Sequence, residues 1–269
     1  MKEEIRRIID LFTQYEKNFK IKPGVLKGVD NIKTFFIQTI NGRVAHDFSF
    51  ALIEAIKYHN WYENKKVYDY FLSDKIGATD YIPIGSVEFV LDTLHLNYNI
   101  SNIRPLNIPN KIIKPEYTKR WVKVVKTDTN TINAGDAPIF VKDNSKIKGW
   151  TNIVDPNRGY PAGEYLISEY VEIDSEWRAF IFNNKLVGLQ HYSGDFTIFP
   201  DVELIKKMIN DFNYNNSYTL DVGINNNGTF VLELHDFFSC GLYGFANYKL
   251  LPLMFINTWN KLIAQEKVK

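Results

Sequence analysis

Two carboxylates stand on consecutive predicted strands in the last quarter of the chain, in the segments 218–221 (YTLD) and 231–236 (VLELHD). Side chains alternate along paired antiparallel strands, so Asp221 and Glu233 face each other when the connecting turn has an odd number of residues. A two-residue turn would place them on opposite faces unless a β-bulge restored the alternation. The simplest such turn is 226–228 (NNG), with its glycine in the left-handed conformation. Adjacent carboxylates repel unless a cation or a proton lies between them, and Mg²⁺ favours carboxylate oxygens. The pair therefore predicts either a magnesium site or an exposed sheet face neutralised by lysines.

An arginine within an aromatic strand is the second candidate group. In the run 176–182 (EWRAFIF), Arg178 shares one face with Glu176, Phe180 and Phe182. An arginine that points inward among aromatic rings needs an anionic partner, because an unpaired buried charge is very costly. The spacing leaves two partners open, a carboxylate of the protein and a phosphate of a ligand.

A lysine at the end of an apolar strand is the third candidate. Lys142 closes the run 139–142 (IFVK), so its ammonium must emerge at a rim, where it can act as a point charge for phosphate oxygens. Lys146 and Lys148 follow in the next turn and are expected to meet the same polyphosphate. The alternative is a set of lysines that simply extend into water.

Composition excludes several classes of protein. The chain has 269 residues, a net charge of +1 and 45% hydrophobic residues, which is ordinary for a globular protein. It lacks the basic excess expected of a nucleic-acid binder and any run of about 18 apolar residues that a membrane span needs. Its first residues lack the apolar core of a secretory signal. A single cysteine, Cys240, excludes an internal disulfide and leaves no zinc-ligand spacing, and the cytoplasm is the expected location.

The predicted elements divide the chain in two. Helical spacing covers residues 1–20, and short strands then alternate with helices up to about residue 110, which predicts a small α/β unit. A proline-rich linker covers residues 104–115. The second half reads as strands joined by short asparagine-rich turns, which predicts an α+β domain with an antiparallel sheet. We therefore expect an N-terminal domain over residues 1–112 and a second domain over residues 113–269. The predicted elements are strands at 34–40, 81–84, 138–142, 164–171, 176–182, 185–192, 218–222 and 229–234, and helices at 48–58, 87–96 (capped by Ser86), 201–212 and 248–265.

The order of these motifs resembles the ATP-grasp superfamily: a strand lysine, a glutamate-rich segment, a strand arginine, a hairpin aspartate and a strand glutamate. More narrowly, segments 82–89 (IPIGSVEF), 139–142 (IFVK), 175–178 (SEWR) and 232–244 (LELHDFFSCGLYG) resemble the ATP-grasp clade named for a conserved arginine and two lysines. The likeness runs from about residue 80 to the end of the chain. It implies an α+β ATP-grasp fold, with two α+β lobes around a nucleotide cleft, preceded by a small α/β N-terminal domain.

The resemblance also implies ATP and Mg²⁺ as cofactors and a role for each candidate residue. Lys142 would contact the α- and β-phosphates, Arg178 would face the γ-phosphate or an acyl phosphate, and Asp221 and Glu233 would hold Mg²⁺. Many members have an asparagine where this chain has His235, and imidazole is a poorer Mg²⁺ ligand, so Asp236 is expected to take over. The resemblance also implies that Lys146 and Lys148 lie on a loop covering the phosphates, and that Lys146 and Arg178 are the catalytic residues. The remaining nucleotide-binding residues that it implies are Glu169, Tyr170, Val171, Glu172 and Glu176.

The implied activity is that of an ATP- and magnesium-dependent ligase. Such a ligase phosphorylates a carboxylate, in a small molecule or a peptide, and an amine or similar nucleophile then attacks the acyl phosphate. Two other functions stay open: a nucleotide-binding module that acts through a partner with little or no catalysis, and a small-molecule kinase on the same fold. Release of ADP that depends on an added amine would favour the ligase.

Overall fold

A computed structural model of the chain describes residues 32–77, 80–127, 137–155 and 162–264. The chain from Lys33 onward forms one compact unit. The helix predicted over residues 1–20 lies outside the described residues, and the proposed boundary at residue 112 stays a prediction. Within the described ranges, no helix combines the length and the apolar character that crossing a membrane requires.

The N-terminal part is a small sheet with two helices. Strand β1 is central: β3 and β4 pair with it in parallel on either side, and β2 pairs with it in antiparallel fashion. Phe35, Phe36 and Ile37 are all buried, as expected for a strand covered on both faces. Ser86 caps the second helix as predicted, because its hydroxyl accepts a hydrogen bond from the Phe89 amide. The elements are β1 Lys33–Ile40, β2 Arg43–Val44, α1 Asp47–Tyr62, β3 Tyr68–Ser73, β4 Ile82–Ile84 and α2 Val87–Tyr98.

An irregular linker follows, as the prolines predict. Residues 101–114 contain no helix, and their only β-structure is an isolated bridge between Asn107 and Leu234. The linker ends in a short helix, α3 (Pro115–Thr118), which the sequence reading missed. Proline is well suited to the first turn of a helix because its missing N–H would have no intrahelical partner there.

Among the described residues after the linker there are two four-stranded sheets with their helices, and within each sheet all observed pairings are antiparallel. The first has the strand order β5-β8-β6-β7 and the second the order β10-β9-β11-β12. The predicted α+β class with antiparallel sheets is therefore correct. The elements are β5 Val122–Thr127, β6 Ile139–Asp143, β7 Thr151–Val154, β8 Gly163–Glu169, β9 Ser175–Phe182, β10 Lys185–Gly194, α4 Val202–Phe212, β11 Ser217–Asn225, β12 Gly228–Asp236, a 3₁₀ turn Tyr248–Leu250 and α5 Leu251–Ala264.

The main core lies between the second sheet and helix α4. This helix begins at the predicted cap Asp201, whose carboxylate accepts from the Leu204 amide. Its residues Ile205, Met208, Ile209 and Phe212 follow helical spacing and are buried against the sheet. The other face of that sheet is left to meet the first sheet and the loop after β12, and there the candidate site lies.

Candidate functional site

A cavity of about 460 Å³ is lined by both antiparallel sheets and the linker. Phe140 and Lys142 of β6 and Leu166 of β8 form one wall, and Leu232 and Glu233 of β12 form part of the opposite wall. The segment after β8 and the start of β9 close one side. The cavity thus combines apolar surface with the charged groups that the sequence singled out.

The β11–β12 hairpin brings the two predicted carboxylates to directly paired positions, Asp221 opposite Glu233. The predicted turn is wrong in detail. Gly228 has the expected positive φ of 91°, but it pairs with Asn225, so the turn consists of Asn226 and Asn227 alone. The strand pairing instead shifts by one residue at Leu232, which has no partner on β11. The alternation was correct, but a β-bulge rather than an odd turn accommodates it.

This bulge places two successive side chains of β12 on the same wall of the cavity. Leu232 and Glu233 both line the cavity, whereas Val231 and Leu234 on either side of them belong to the core under the sheet. A regular strand would send one of the two successive residues to the opposite face. The apolar and the charged parts of the wall are therefore adjacent in sequence.

Arg178 is paired with a carboxylate of the protein. Its Nε and Nη2 donate to the two oxygens of Asp221 at 2.8 and 2.7 Å, and its Nη1 donates to the Gly241 carbonyl at 3.2 Å. Burial alone would lower the pKa of Arg178, but the hydrogen bonds and charge of Asp221 raise it. Burial raises the pKa of the Asp221 carboxyl, and Arg178 opposes that rise. Of the two partners that the spacing left open, the structure contains the carboxylate of the protein, and Arg178 does not itself line the cavity.

Aromatic rings surround this ion pair. The guanidinium carbon of Arg178 lies 5.6 Å from the ring centre of Tyr192 and 5.2 Å from that of Tyr243, and the two rings stack on each other. The Tyr192 hydroxyl donates to Glu176 at 2.8 Å, and both of these residues line the cavity. Tyr243 has a φ of 49°, a left-handed conformation that is uncommon for a bulky residue.

Glu233 is held by two basic groups. Its Oε2 accepts from the Lys142 ammonium, and its Oε1 lies 2.6 Å from Nε2 of His235. Burial alone would raise the pKa of Glu233, but the hydrogen bond and charge of His235, followed by those of Lys142, lower it to about 2. With Arg178 on Asp221, each carboxylate already has a cationic partner. The repulsion expected between them is therefore neutralised by side chains.

The same group suits a divalent cation. Ligand atoms of Asp221, Glu233 and His235 lie within 4.8 Å of one another. Carboxylate oxygens suit Mg²⁺ and Mn²⁺, whereas an imidazole nitrogen suits transition metals such as Mn²⁺, Co²⁺ or Zn²⁺ better than Mg²⁺. A cation at this position would compete with the Lys142 ammonium for Glu233. The donor set fits a divalent metal ion. Because one of its donors is an imidazole, the site should prefer a transition metal to Mg²⁺.

Asp236 is not part of this group, which corrects the expectation that it takes over from His235. It follows His235 in β12 and so points to the opposite face of the strand. There it is half-buried and accepts a hydrogen bond from the Tyr214 hydroxyl at 2.9 Å, and its partial burial raises the pKa of its carboxyl.

Most of the predicted nucleotide-binding segment does line the cavity. Glu169, Tyr170, Val171 and Glu176 belong to its wall, whereas Glu172 does not. The backbone carbonyl of Glu172 instead accepts from the Asn225 side chain at 3.1 Å.

The two lysines expected on a covering loop lie elsewhere. Lys146 is exposed, and Lys148 pairs with the exposed Glu88 of α2 at 3.0 Å. Neither lines the cavity. Beyond the end of a strand, no alternation fixes the direction of a side chain. The position of these lysines in the turn after Lys142 therefore did not bring them to its side of the sheet.

Arg120 also lines the cavity, although the sequence analysis did not single it out. Its Nη1 donates to the carbonyls of Thr118 and Val231 at 3.1 Å each, and its guanidinium carbon lies 5.0 Å from the Phe230 ring centre. Burial lowers its pKa to about 10, and the charge of Glu169 opposes that shift. It lies two residues before β5, where no periodic pattern marks the direction of its side chain.

Similarity to known proteins indicates the family and the fold of the chain. The model of the ATP-grasp domain, R2K clade family 2, matches residues 117–252. A search of the curated proteins finds no match. D-alanine–D-alanine ligase from Bacillus anthracis is similar in structure, with a TM-score of 0.50 and 15% identity over 88% of this chain and 100% of that chain. N5-carboxyaminoimidazole synthetase from Staphylococcus aureus has a TM-score of 0.50 and 12% identity, covering 84% and 77%. At such identities the likeness shows the fold.

Proposed function

Because the chain belongs to family 2 of the R2K clade of ATP-grasp domains, we propose that it is an ATP-dependent ligase. In the proposed reaction, a carboxylate of a small molecule or peptide is activated as an acyl phosphate, which an amine or similar nucleophile then attacks. One observation carries the proposal: Lys142 and Glu233 line one cavity together with residues 169–171, and ligand atoms of Asp221 and His235 lie within 4.8 Å of those of Glu233. The two solved structures named above are those of a ligase and a synthetase, which supports the same class.

We place the adenine between the apolar parts of the two walls. Phe140 and Leu166 on one side and Leu232 on the other offer flat apolar surface, and residues 169–171 offer backbone groups beside it. A pocket with apolar walls and a few polar groups at its edge is typical of a nucleobase site. Arg120, whose charge is partly balanced by Glu169, lies in the same wall and would orient the base or the sugar.

The phosphates then meet the charged part of the cavity. Lys142 would leave Glu233 and turn to the phosphate oxygens, because a polyphosphate offers its ammonium more negative charge than one carboxylate does. Arg178 would hold Asp221 in a fixed orientation through two hydrogen bonds. Its predicted contact with the γ-phosphate or the acyl phosphate, like a role for Lys146, stays a prediction.

We propose that Asp221 and Glu233, with His235, hold the divalent cation of the reaction. When bound, such a cation would neutralise charge that develops on the transferred phosphoryl group. The chain's own contribution is to fix these ligands in advance, because preorganised charge costs little reorganisation during the reaction. No general base is needed for the phosphoryl step, in which a carboxylate oxygen attacks the γ-phosphorus and ADP leaves.

The decisive experiment follows ADP release with ATP and either Mg²⁺ or Mn²⁺ across a panel of amino acids and other carboxylates, with and without added amines. A ligase releases ADP beyond a single turnover only when a carboxylate and a nucleophile are both present, and with an amine it forms an amide. Glu233→Gln should abolish the release, and Glu203→Gln on the exposed face of α4 serves as its control. ATP binding without any turnover would instead identify a binding module, and a stable phosphorylated product formed without amine would identify a kinase.

A further inference from the structure

Tyr192 lies at an irregular point of β10, beside the cavity. The residues before and after it each have a partner on β9, and Tyr192 has none. The strand therefore contains a β-bulge, in which two residues of one strand oppose a single residue of the other. Tyr192 and Ser193 together oppose Glu176 of β9. Tyr192 and Glu176 are thus neighbours across the two strands, and both line the cavity.

The Glu176 carboxylate has one oxygen in use and one to spare. Its Oε2 accepts from the Tyr192 hydroxyl at 2.8 Å. None of the ion pairs in the described part of the chain includes Glu176. Its Oε1 has no hydrogen-bond partner among the described residues, yet it is not one of the buried atoms that lack a partner, so it is accessible.

This carboxylate lies on the cavity side of the second sheet. The next residue, Trp177, belongs to the core under the sheet. Side chains alternate along a strand, so Glu176 extends from the opposite face, as Arg178 does. Arg178 is bonded to Asp221 and gives Glu176 no counter-charge. A carboxylate can only accept hydrogen bonds, so Glu176 offers the cavity an acceptor for a group that enters with a proton to donate.

Tyr192 is itself held in place and keeps its proton. Its ring stacks on Tyr243, with centres 5.2 Å apart, and lies 5.6 Å from the guanidinium carbon of Arg178. Burial first, and then the charge of Asp221, raise the pKa of the Tyr192 hydroxyl. The hydroxyl therefore remains a donor at neutral pH, aimed at Glu176 by a ring that two neighbours hold.

We propose that Tyr192 is a positioning residue of the nucleotide site, which acts through Glu176. By donating to Oε2 it holds the carboxylate in one orientation, from which Glu176 accepts a hydrogen bond from a hydroxyl or amino group of the nucleotide. The inference rests on the proposed ATP site. Without the Tyr192 hydroxyl the carboxylate is free to rotate, and binding must then order it at the expense of affinity. Tyr192 itself need not contact the nucleotide.

The test is a double-mutant cycle, in which calorimetry measures ATP binding to the full chain with Tyr192→Phe, Glu176→Ala and both substitutions. Phenylalanine keeps the ring that stacks on Tyr243 and removes only the hydroxyl. Tyr192→Phe should weaken ATP binding about fivefold, the usual effect of one hydrogen bond, and Glu176→Ala should weaken it about tenfold. In the Glu176→Ala background, Tyr192→Phe should have no further effect, because the carboxylate that it positions is gone.

Tyr117→Phe is the matched control. It also removes a hydroxyl that donates to a carboxylate, that of Asp211, at 2.6 Å, and neither residue lines the cavity. It should leave the affinity for ATP unchanged. Urea denaturation of each variant confirms that it is folded at the temperature of the titration.

The outcomes separate this inference from the proposed function. If Tyr192→Phe weakens binding by the same factor with and without Glu176, Tyr192 only shapes the cavity and the inference is overturned. An unchanged affinity in Tyr192→Phe or in Glu176→Ala overturns it as well. If Tyr192→Phe does not fold, Tyr192→Met makes the same comparison. A folded wild type that binds no ATP contradicts the proposed function instead.

Discussion

Arg178 and Asp221 bury opposite charges at directly paired positions of β9 and β11. Removing one partner of a buried pair leaves the other charge without compensation, which typically costs about 3–5 kcal/mol. We therefore expect Asp221→Ala to lower the free energy of unfolding of the metal-free protein by about that amount, as measured by urea denaturation. A relief of repulsion between Asp221 and Glu233 would give the opposite sign.

The double variant Arg178→Met with Asp221→Leu should regain most of this loss, because it removes both charges together. A double variant as unstable as Asp221→Ala would show that the ion pair is not the cause of the effect.

Lys142 is the second residue whose role can be measured directly. If its ammonium turns from Glu233 to the phosphates, Lys142→Ala should weaken ATP binding at least tenfold, or about 1.4 kcal/mol. Calorimetry checks the affinity, and circular dichroism checks the fold. Lys206→Ala on the exposed side of α4, which pairs only with Glu203 among the described residues, is the control. An unchanged affinity would remove Lys142 from the nucleotide site.

His235 predicts an unusual metal preference. With an imidazole beside two carboxylates, the wild type should favour Mn²⁺ over Mg²⁺, and His235→Asn should reduce that preference about tenfold. Electron paramagnetic resonance of free Mn²⁺, with Mg²⁺ as competitor, measures this without any turnover. His95→Asn on the exposed part of α2 is the control. Equal preference in the wild type and in His235→Asn would show that the imidazole is not a ligand.

At the residue scale, alternation along strands predicted that Asp221 and Glu233 face each other, and that Arg178 needs an anion. It did not identify that anion, because the partner comes from another strand and depends on the register between them. Arg120 was missed for a related reason. It lies outside regular strands in the local sequence, so no periodicity marks which way its side chain points.

Gly188 shows how closely two elements approach each other beside the site. A Cβ at this position of β10 would lie 2.4 Å from the Phe245 ring, which stacks on Phe180. Gly188→Ala should therefore destabilise the protein by about 1–3 kcal/mol through overpacking, measured as a lower midpoint in thermal or urea unfolding. Gly77→Ala, where a Cβ meets open space, is the matched control. Equal effects of the two substitutions would contradict the close contact.

The long strands of the second sheet and helices α1, α2, α4 and α5 were predictable, because each has a clear period and recognisable ends. Strands β5 and β7 were not. In β5, Lys123 and Val124 are both exposed, and three of the four residues of β7 are exposed, so neither shows the alternation of a half-buried strand. Strands at the edges of a sheet acquire their structure from a neighbour more than from their own pattern.

The C-terminal segment joins helix α1 to the site. The Leu242 amide donates to Asp47 at 2.8 Å, His59 bonds to the Lys249 carbonyl at 2.7 Å, and Phe48 packs against Phe255. Predicting these contacts required knowing how the two ends of the described chain meet, which local patterns do not contain. The loop that carries Gly241 and Tyr243 is therefore held from the N-terminal side.

Cys240 lies in this loop, and the reactivity of its thiol can be used to follow the unfolding of the whole molecule. It is buried, and burial raises the pKa of its thiol to about 12. Because the thiolate is the reactive form, we expect negligible reaction with a thiol reagent at pH 8 in the folded protein. The fraction of Cys240 that is labelled should rise with urea concentration along the same curve as the loss of the circular dichroism signal. Rapid labelling before any loss of secondary structure would show that this loop opens independently.

The bulge at Leu232 has a consequence for how β12 can change in evolution. Deleting one residue from a strand ordinarily turns every side chain beyond it to the wrong face. Leu232 is the exception, because it has no partner on β11, and the residues before and after it would alternate regularly without it. The codon for Leu232 can therefore be lost while Asp221 still opposes Glu233. Such a change would remove the apolar surface that we assign to the base, so the base pocket can be remodelled while the carboxylate pair is left intact.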